Sequence, residues 1–268
     1  MQDFKQEDVY QQAKAWVKQA GVLIRESINQ PREVDTKADE NDLVTEMDRK
    51  IEKFFTDHIR ATYPNDRILS EEGYGDDVRD LKGTVWIIDP IDGTMNFVHQ
   101  KQMFSISLAV YCAGSGEIGF VYDVMADILY HAKKGQGAFK NEQQLDMLKP
   151  EKILTQSLLM VNTIWCTKNS RINDEKIRAL VQTVRGVRTY GSAALEFAYL
   201  AEGIVDCYIS VKLHPWDLAA GCILYNEVGG KTLQMTGDAL TMVNQEPIIA
   251  AHPSIIKQVI DEYLELKN

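Results

Sequence analysis

The sequence predicts an α+β or mixed α/β fold built from interspersed helices and strands. Two long stretches with helical periodicity open the chain, strand-like alternation begins near Met103, and the second half changes rapidly between the two patterns. With 268 residues, of which 45% are hydrophobic, the chain can bury a sizeable core.

The two opening helices are predicted from apolar residues that recur every three to four positions. The first spans 6–28, and the second runs from about 45 to 61, just before Tyr63-Pro64. Both apolar stripes are assigned to the core rather than to a ligand site. They consist of Val9, Ala13, Trp16, Val17, Ala20, Leu23, Ile24 and Ile28, and of Met47, Ile51, Phe54, Phe55 and Ile59.

An antiparallel meander is predicted after Met103. Apolar residues alternate with small ones over 104–110, and the segment 112–116 then turns the chain. The segments 118–124 and 128–133 continue the meander as strands.

The second half is predicted to mix short strands with helices. Strands are expected near 158–162, 204–210, 231–235 and 248–252, and helices at 173–184, at 193–202, after Trp216 and from Pro253. Gly229-Gly230 ends the helix that Trp216-Asp217 opens. We expect a single domain, 1–268, with possible halves 1–150 and 151–268.

The composition disfavours several classes of partner. The net charge of −10 opposes nonspecific contact with nucleic acid or with an anionic membrane. No apolar run is long enough to span a membrane, and no signal peptide is evident at the N-terminus. The four cysteines are widely spaced and form no zinc or redox motif, which favours a cytoplasmic protein with reduced thiols.

The most informative segment is 87–97, where an apolar run leads into Asp89-Pro90-Ile91-Asp92-Gly93-Thr94. Two neighbouring carboxylates are costly unless cations lie between them, and oxygen ligands suit Mg²⁺ or Mn²⁺ better than zinc. Pro90 biases Asp89 toward an extended conformation, and the Ile91 carbonyl offers a further ligand. The amides of Gly93 and Thr94 can meet phosphate oxygens if a helix begins there. The alternative is an ordinary acidic turn.

Two further acidic positions favour the metal hypothesis. Glu71-Glu72 follows the short apolar segment 68–69, and Asp217 lies in the first turn of an apolar helix. Each also has a simpler explanation by itself: the glutamates as solvated surface, and Asp217 as a favourable charge at a helix N-terminus.

Together these segments resemble the inositol monophosphatase family of metal-dependent, lithium-sensitive phosphatases. The resemblance rests on Glu71-Glu72, on 86–97 (WIIDPIDGTMNF) and on 216–221 (WDLAAG), in this order, and a fourth block spans 37–48. It implies the family's layered α/β/α/β/α sandwich, usually assembled as a homodimer, and inhibition by lithium.

The resemblance also implies a ligand set for two to three Mg²⁺ ions, with Mn²⁺ as a possible substitute. Glu71, Asp89 and the Ile91 carbonyl would hold the first ion. Asp89 would bridge to a second ion held by Asp92 and Asp217, and a weaker third ion would lie near Glu71. Thr94, paired with Asp48, would position a water molecule that attacks phosphorus directly without a phosphoenzyme.

Substrate contacts are implied for two groups of residues. Gly191-Ser192-Ala193 matches the family's element beside the substrate, although Ser192 can equally serve only as a helix cap. The expected substrate-binding residues are Ile91, Asp92, Gly93, Thr94, Gly191, Ser192, Ala193 and Asp217.

Three positions near the N-terminus keep two interpretations. Thr45 to Asp48 also matches a capping box. Asp42 matches a family position near the metals, but it also suits the N-cap of the same helix. Lys37 offers a positive charge for a phosphate, but it is also consistent with plain surface.

The substrate is left open by one departure from the family pattern. Many members carry a glutamate seven residues before the Trp-Asp aspartate, where it contacts inositol hydroxyls, and here that residue is Ser210. Lys212 and His214 favour a more anionic substrate unless they are surface residues. Inositol 1-phosphate is the first expectation. The alternatives are the 2′-phosphate of NADP(H), fructose 1,6-bisphosphate, a 3′-phosphonucleotide, and a regulatory RNA-associated protein without activity.

Overall fold

The computed structural model describes residues 5–28, 34–36 and 43–267. The α-helices of these segments are α1 (Gln6–Ser27), α2 (Glu46–Thr62), α3 (Thr94–His99), α4 (Asp174–Thr183), α5 (Ala193–Ala201), α6 (Pro215–Glu227) and α7 (Pro253–Tyr263). Short 3-10 helices cover Leu154–Gln156 and Thr163–Cys166. Lys37 and Asp42 lie outside the described residues, so both interpretations of each stay open.

The first half of the chain builds a seven-stranded sheet in the order β3-β4-β5-β6-β7-β8-β9. Its first pair of strands is parallel, and all the others are antiparallel. A separate two-stranded sheet pairs β1 (Val34–Thr36) antiparallel with β2 (Leu43–Thr45). The strands of the large sheet are β3 (Arg67–Ser70), β4 (Thr84–Asp92), β5 (Ser105–Cys112), β6 (Ser115–Asp123), β7 (Ile128–Lys133), β8 (Ala138–Lys140) and β9 (Gln143–Gln144).

The second half builds a five-stranded mixed sheet in the order β11-β10-β12-β14-β13. The pairs that β10 forms with β11 and β12 are parallel, while β14 runs antiparallel to both of its neighbours. These strands are β10 (Leu158–Val161), β11 (Gly186–Arg188), β12 (Cys207–Leu213), β13 (Lys231–Gln234) and β14 (Glu246–Ala251).

Five layers follow from the three hydrophobic clusters. One cluster packs α1 and α2 on one face of the seven-stranded sheet, through residues such as Trp86 and Ile88 of β4. Val85 and Ile87 point to the opposite face, where α5 and α6 lie between the two sheets. The third cluster places α4 and α7 on the outer face of the five-stranded sheet. Successive side chains of a strand point to opposite faces, so alternate residues of β4 pack in two different hydrophobic clusters.

The mixed α/β class and the layered sandwich are confirmed, and most predicted elements lie within a few residues of their expected bounds. One strand is displaced: the first three residues of the expected segment 204–210 are irregular, and the strand covers Cys207–Leu213 instead. Short elements such as α3, β8 and β11 were not predicted, because so few residues carry little periodic signal. No helix within the described residues has the length and apolarity needed to cross a membrane.

Candidate active site

A β-bulge in β4 places Asp89 and Asp92 on one face of the sheet. Asp89 pairs with Ser107 and Asp92 with Ser105, so three steps along β4 match two steps along β5. In a regular strand, residues three apart point to opposite faces, and one extra residue restores the same face. Pro90 lies within the bulge, where its missing N–H costs no ladder hydrogen bond. Both carboxylates are buried.

Asp92 is held by the start of α5. Its Oδ2 accepts hydrogen bonds from the Ala194 N–H at 2.8 Å and from the Ser192 hydroxyl, and its Oδ1 accepts the Ala193 N–H at 3.1 Å. Ser192 also caps α5 by accepting the Leu195 N–H at 3.3 Å. The cap and the proposed substrate element are therefore the same residue, and the two interpretations of Ser192 are compatible.

Glu71 lies in the loop that follows β3. Because β3 is parallel to β4, the carboxyl ends of both strands meet at the same edge, and Ser70 pairs with Ile88. Glu71 lies close enough to Asp89 for its charge to raise the pKa of that carboxyl. Its loop is anchored by Glu52 of α2, which accepts the N–H groups of Glu72 and Tyr74.

Asp217 reaches the same place from α6. It lies in the first turn of the helix, where its Oδ2 accepts the His214 N–H at 2.7 Å. The helix packs closely on the seven-stranded sheet, since a Cβ at Gly119 would lie 2.8 Å from the Ala220 carbonyl. The sequence therefore needs glycine at this crossing. Asp217 is at once a helix cap and a member of the acidic site.

Three carboxylates converge to form a candidate metal centre. One oxygen each from Asp89, Asp92 and Asp217 lies within 4.8 Å of the others. These are hard oxygen donors of the kind that Mg²⁺ and Mn²⁺ prefer, and their combined negative charge requires cationic compensation. The residues present fit a divalent cation.

The protonation of the cluster reflects its burial. Desolvation, together with the charges of Glu71, Asp92, Asp217 and Asp48, raises the pKa of Asp89 well above its usual range. Burial and the charge of Asp92 raise the pKa of Asp217 to about 8. Burial also raises the pKa of Asp92, but the Ser192 hydroxyl and the two amides of α5 oppose that shift. The cluster is thus electrostatically strained as long as no cation neutralises it.

Thr94 begins α3 beside this cluster. Gly93 precedes it as the N-cap with a φ of 91°, a left-handed conformation that glycine adopts readily. The Thr94 hydroxyl donates to the Ile91 carbonyl at 3.3 Å. Asp48 is buried at the start of α2, and its charge acts on Asp89, which places it near the metal centre. The predicted capping box is not decided, because the Thr45 side chain lies outside the described residues.

A cavity of about 310 Å³ opens beside Asp92 and Asp217, and it reaches Gly191, Ser192 and Ala193. Its lining also includes Ser210 and Lys212, together with Trp165 of the second 3-10 helix. His214 instead stacks on Trp216, with ring centroids 4.6 Å apart. Of the two basic residues singled out in the sequence, Lys212 is therefore the one at the cavity.

Several polar residues of the site were missed by sequence analysis. Ser105 and Ser107 are buried opposite the two aspartates of β4, and Asn96 binds the carbonyls of Met103 and Tyr190. Glu196, also buried, accepts the Tyr190 N–H at 2.8 Å. The only sign of these residues in the sequence is a polar side chain inside an otherwise apolar strand or helix. Such a pattern does not show which group the side chain binds.

Comparison with known proteins places the chain in a family. The model of the inositol monophosphatase family matches residues 5–266. The inositol-1-monophosphatase of Bacillus subtilis (strain 168) is 48% identical over 256 residues, which cover 96% of this chain and 96% of the relative.

Solved structures agree with this assignment. Inositol monophosphatase-II from Staphylococcus aureus MSSA476 superposes with a TM-score of 0.88 at 41% identity and covers 96% of both chains. SaIMPase-II has also been solved with 2′AMP bound (TM-score 0.88, 40% identity, 96% and 94% coverage) and with inositol monophosphate bound (TM-score 0.86, 38% identity, 96% and 93% coverage).

A more distant structure, an IMPase/NADP phosphatase complexed with Mg²⁺ and phosphate, has a TM-score of 0.87 at 26% identity and covers 96% and 95% of the two chains. The Mg²⁺ in that structure is a divalent cation of the kind that the acidic cluster of this chain fits. On this evidence the chain belongs to the inositol monophosphatase family and is a phosphoric monoester hydrolase.

Proposed function

We propose that this enzyme hydrolyses the phosphate monoester of a small polyol, with inositol 1-phosphate as the first candidate. The observation that carries the proposal is the position of a small-molecule cavity directly beside the Asp89, Asp92 and Asp217 cluster. Cavities of this size suit a single small ligand. The similarity to the B. subtilis inositol-1-monophosphatase supports the same substrate.

Two to three Mg²⁺ ions would complete the site in this proposal, and Mn²⁺ would be a possible substitute. Glu71, Asp89 and the Ile91 carbonyl would hold one ion, and Asp89, Asp92 and Asp217 would hold another. When bound, such ions generate a nucleophilic water at neutral pH and stabilise charge on the leaving oxygen. A weaker third site near Glu71 is part of the same proposal. We also expect inhibition by lithium.

Thr94 and Asp48 direct the attacking water. The Thr94 hydroxyl is a weak base, so it needs a carboxylate to accept or orient its proton, and Asp48 is buried close to the cluster. Attack is direct, and no residue is phosphorylated.

Two groups of residues hold the substrate in this proposal. The amides of Gly93 and Thr94 bind phosphate oxygens, together with the Ile91 carbonyl and Asp92. Gly191, Ser192, Ala193 and Asp217, which line the cavity, contact the alcohol. Gly191 has a φ of 81°, and a Cβ there would lie 3.0 Å from the Asn96 side chain, so glycine suits this tightly packed position.

A nucleoside 2′-phosphate is the second candidate substrate. Lys212 and Trp165 both line the cavity and offer a positive charge and an aromatic surface. Ser210 also lines the cavity and supplies no carboxylate for sugar or inositol hydroxyls. SaIMPase-II binds both 2′AMP and inositol monophosphate, which supports testing the two classes together.

A substrate panel tests the proposal. Phosphate release is measured with Mg²⁺ from inositol 1-phosphate, 2′-AMP, NADP, fructose 1,6-bisphosphate and a 3′-phosphonucleotide. We expect the highest kcat/KM for inositol 1-phosphate. A strong preference for 2′-AMP or NADP would replace the inositol assignment with the nucleotide one, and absence of turnover on every ester would favour a regulatory role.

The remaining sequence predictions concern organisation and location. The acidic cluster contains residues from both possible halves of the chain, Asp89 and Asp92 before residue 150 and Asp217 after it. This supports one catalytic unit over 1–268. The homodimer stays a prediction from the family resemblance. The cytoplasmic location also stays a prediction, supported by four free cysteines.

A further inference from the structure

Glu52 is a buried carboxylate beside the site that the proposed mechanism does not use. It belongs to α2, its exposed surface is 0%, and it faces the loop after β3. Burial raises the pKa of its carboxyl, so keeping an acid here is unfavourable unless hydrogen bonds compensate. A fully enclosed charge of this kind requires explanation.

Three donors surround the Glu52 carboxylate. Oε1 accepts the Ser70 hydroxyl at 2.7 Å and the Tyr74 N–H at 2.7 Å, while Oε2 accepts the Glu72 N–H at 2.5 Å. All three are short, as expected when the acceptor is charged. Two of them are backbone amides, so Glu52 fixes the path of the chain rather than one flexible side chain.

The donors lie on both sides of Glu71. Ser70 precedes Glu71, and Glu72 and Tyr74 follow it, so the contacts bracket the residue assigned to the first metal ion. A second link closes the base of the same loop, where Asp76 accepts the Ile68 N–H at 2.9 Å. Asp76 fixes only the base of the loop. The backbone position of its tip, which carries Glu71, still depends on Glu52.

We propose that Glu52 is a positioning residue that holds the Glu71 carboxylate at the distance from Asp89 needed to share a divalent cation. The proposal rests on the proposed role of Glu71 as a metal ligand. If the loop were free, binding of the cation would have to order it, and that entropy cost would weaken affinity. Residues that orient metal ligands typically contribute about 10-fold to 100-fold in metal affinity.

The test compares Glu52→Gln, Glu52→Asp and Glu71→Gln with a matched control. Glutamine keeps the size of the side chain but offers one acceptor oxygen instead of two, so one backbone N–H faces an NH₂ group. The control is Glu227→Gln. Like Glu52, Glu227 accepts backbone N–H groups on both sides of one loop residue: those of Gly135 and Gly137, at 2.8 Å each, which flank Gln136. That loop follows β7 and carries no ligand of the acidic cluster.

Two readouts are needed. Mg²⁺ alone is titrated into the full-length protein by calorimetry, and activity is measured as a function of Mg²⁺ concentration. For Glu52→Gln we expect about 10-fold to 100-fold weaker Mg²⁺ binding, with kcat largely restored at saturating Mg²⁺. Glu52→Asp, which keeps the charge, should recover part of the affinity. Glu227→Gln should bind Mg²⁺ like the unmodified protein.

The outcomes separate this inference from the function on which it rests. Unchanged Mg²⁺ binding in a folded Glu52→Gln, together with weakened binding in Glu71→Gln, would overturn the role of Glu52 and leave Glu71 as a ligand. Unchanged binding in Glu71→Gln would overturn both. If Glu52→Gln does not fold, the Mg²⁺ affinity of Glu52→Asp tests the role of Glu52 instead: weaker binding than in the unmodified protein supports it, and unchanged binding contradicts it. Faster amide exchange at Glu72 and Tyr74 with weakened Mg²⁺ binding supports the proposal, and unchanged exchange and binding contradict it.

Discussion

The Ser192 hydroxyl donates a hydrogen bond to the carboxylate of Asp92 and thereby joins α5 to the end of β4 across 100 positions of sequence. The same serine caps α5, so one small side chain couples helix formation to the orientation of a proposed metal ligand. Because Asp92 is buried, an acceptor left without this donor is costly.

Ser192→Ala is therefore expected to affect both stability and binding. Losing the cap and a hydrogen bond to a buried carboxylate should lower the unfolding free energy by about 2–3 kcal/mol. Urea denaturation and steady-state kinetics measure the effect, and we expect KM to rise as well. Asn173→Ala is the control, because Asn173 caps α4 by accepting the Glu175 N–H at 3.1 Å, away from the cluster. An unchanged KM in Ser192→Ala would mean that Ser192 only caps α5 and has no role in substrate binding.

Asp89→Asn is expected to remove activity. Asp89 is the proposed bridge between two cations, and the loss of several kcal/mol of charge stabilisation corresponds to about 1,000-fold or more in rate. The loss of activity is measured as the rate of phosphate release at increasing Mg²⁺ concentration. Near-normal turnover in saturating Mg²⁺ would refute the bridging role. Asp66→Asn serves as the control, because Asp66 is an acid that accepts the Trp86 indole N–H at 2.9 Å.

Thr94→Ala is expected to slow chemistry more than it weakens binding. Losing the group that orients the attacking water should lower kcat by about 100-fold or more, whereas KM should change little. Thr94→Ser keeps the hydroxyl and should retain most of the activity. An effect confined to KM would contradict the water-positioning role and point to phosphate binding instead.

The stability of the metal-free protein is expected to depend on pH. The folded-state pKa of Asp217 is raised to about 8, and that of Asp89 is raised as well. The native state therefore keeps protons that the unfolded chain releases near pH 4, so its unfolding free energy falls as pH rises from about 4 to about 8. Burial is the main cause of both raised pKa values, and repulsion between the carboxylates adds to it. A bound cation compensates the buried negative charge and so reduces this loss.

Thermal unfolding with EDTA and with Mg²⁺, at pH 6 and pH 8, checks this expectation. The increase in Tm caused by Mg²⁺ should be larger at pH 8 than at pH 6, and Asp217→Asn should reduce the difference. An equal increase at both values in the unmodified protein would show that these carboxylates do not control the metal-free stability.

Much of the fold was predictable because its long elements carry strong periodicity. The stripe over 6–28 matches α1, and the alternating segments after Met103 match the strands of the meander. Short elements depend on neighbours rather than on their own pattern. The three residues of β11, for example, form a strand only because β10 lies beside them.

The site could be predicted only in part for a related reason. Asp89, Asp92 and Glu71 stand next to apolar runs, and this local context indicates a strand end. Glu52 and Glu196 stand in helical sequence, where a charged residue normally faces solvent. Their partners, the amides of Glu72, Tyr74 and Tyr190, were not visible because they belong to loops that reach these helices only in the folded chain.

Residue types and their local order were enough to predict the chemical nature of the site: hard oxygen donors, a glycine before the Thr94 helix and a family of phosphatases. How the donors meet depends instead on the folded chain. The bulge between Asp89 and Asp92 turns both carboxylates to one face, and the contact of Gly119 with α6 brings Asp217 to them. Ligand type is a property of single residues, whereas distance between ligands depends on packing across segments far apart in sequence.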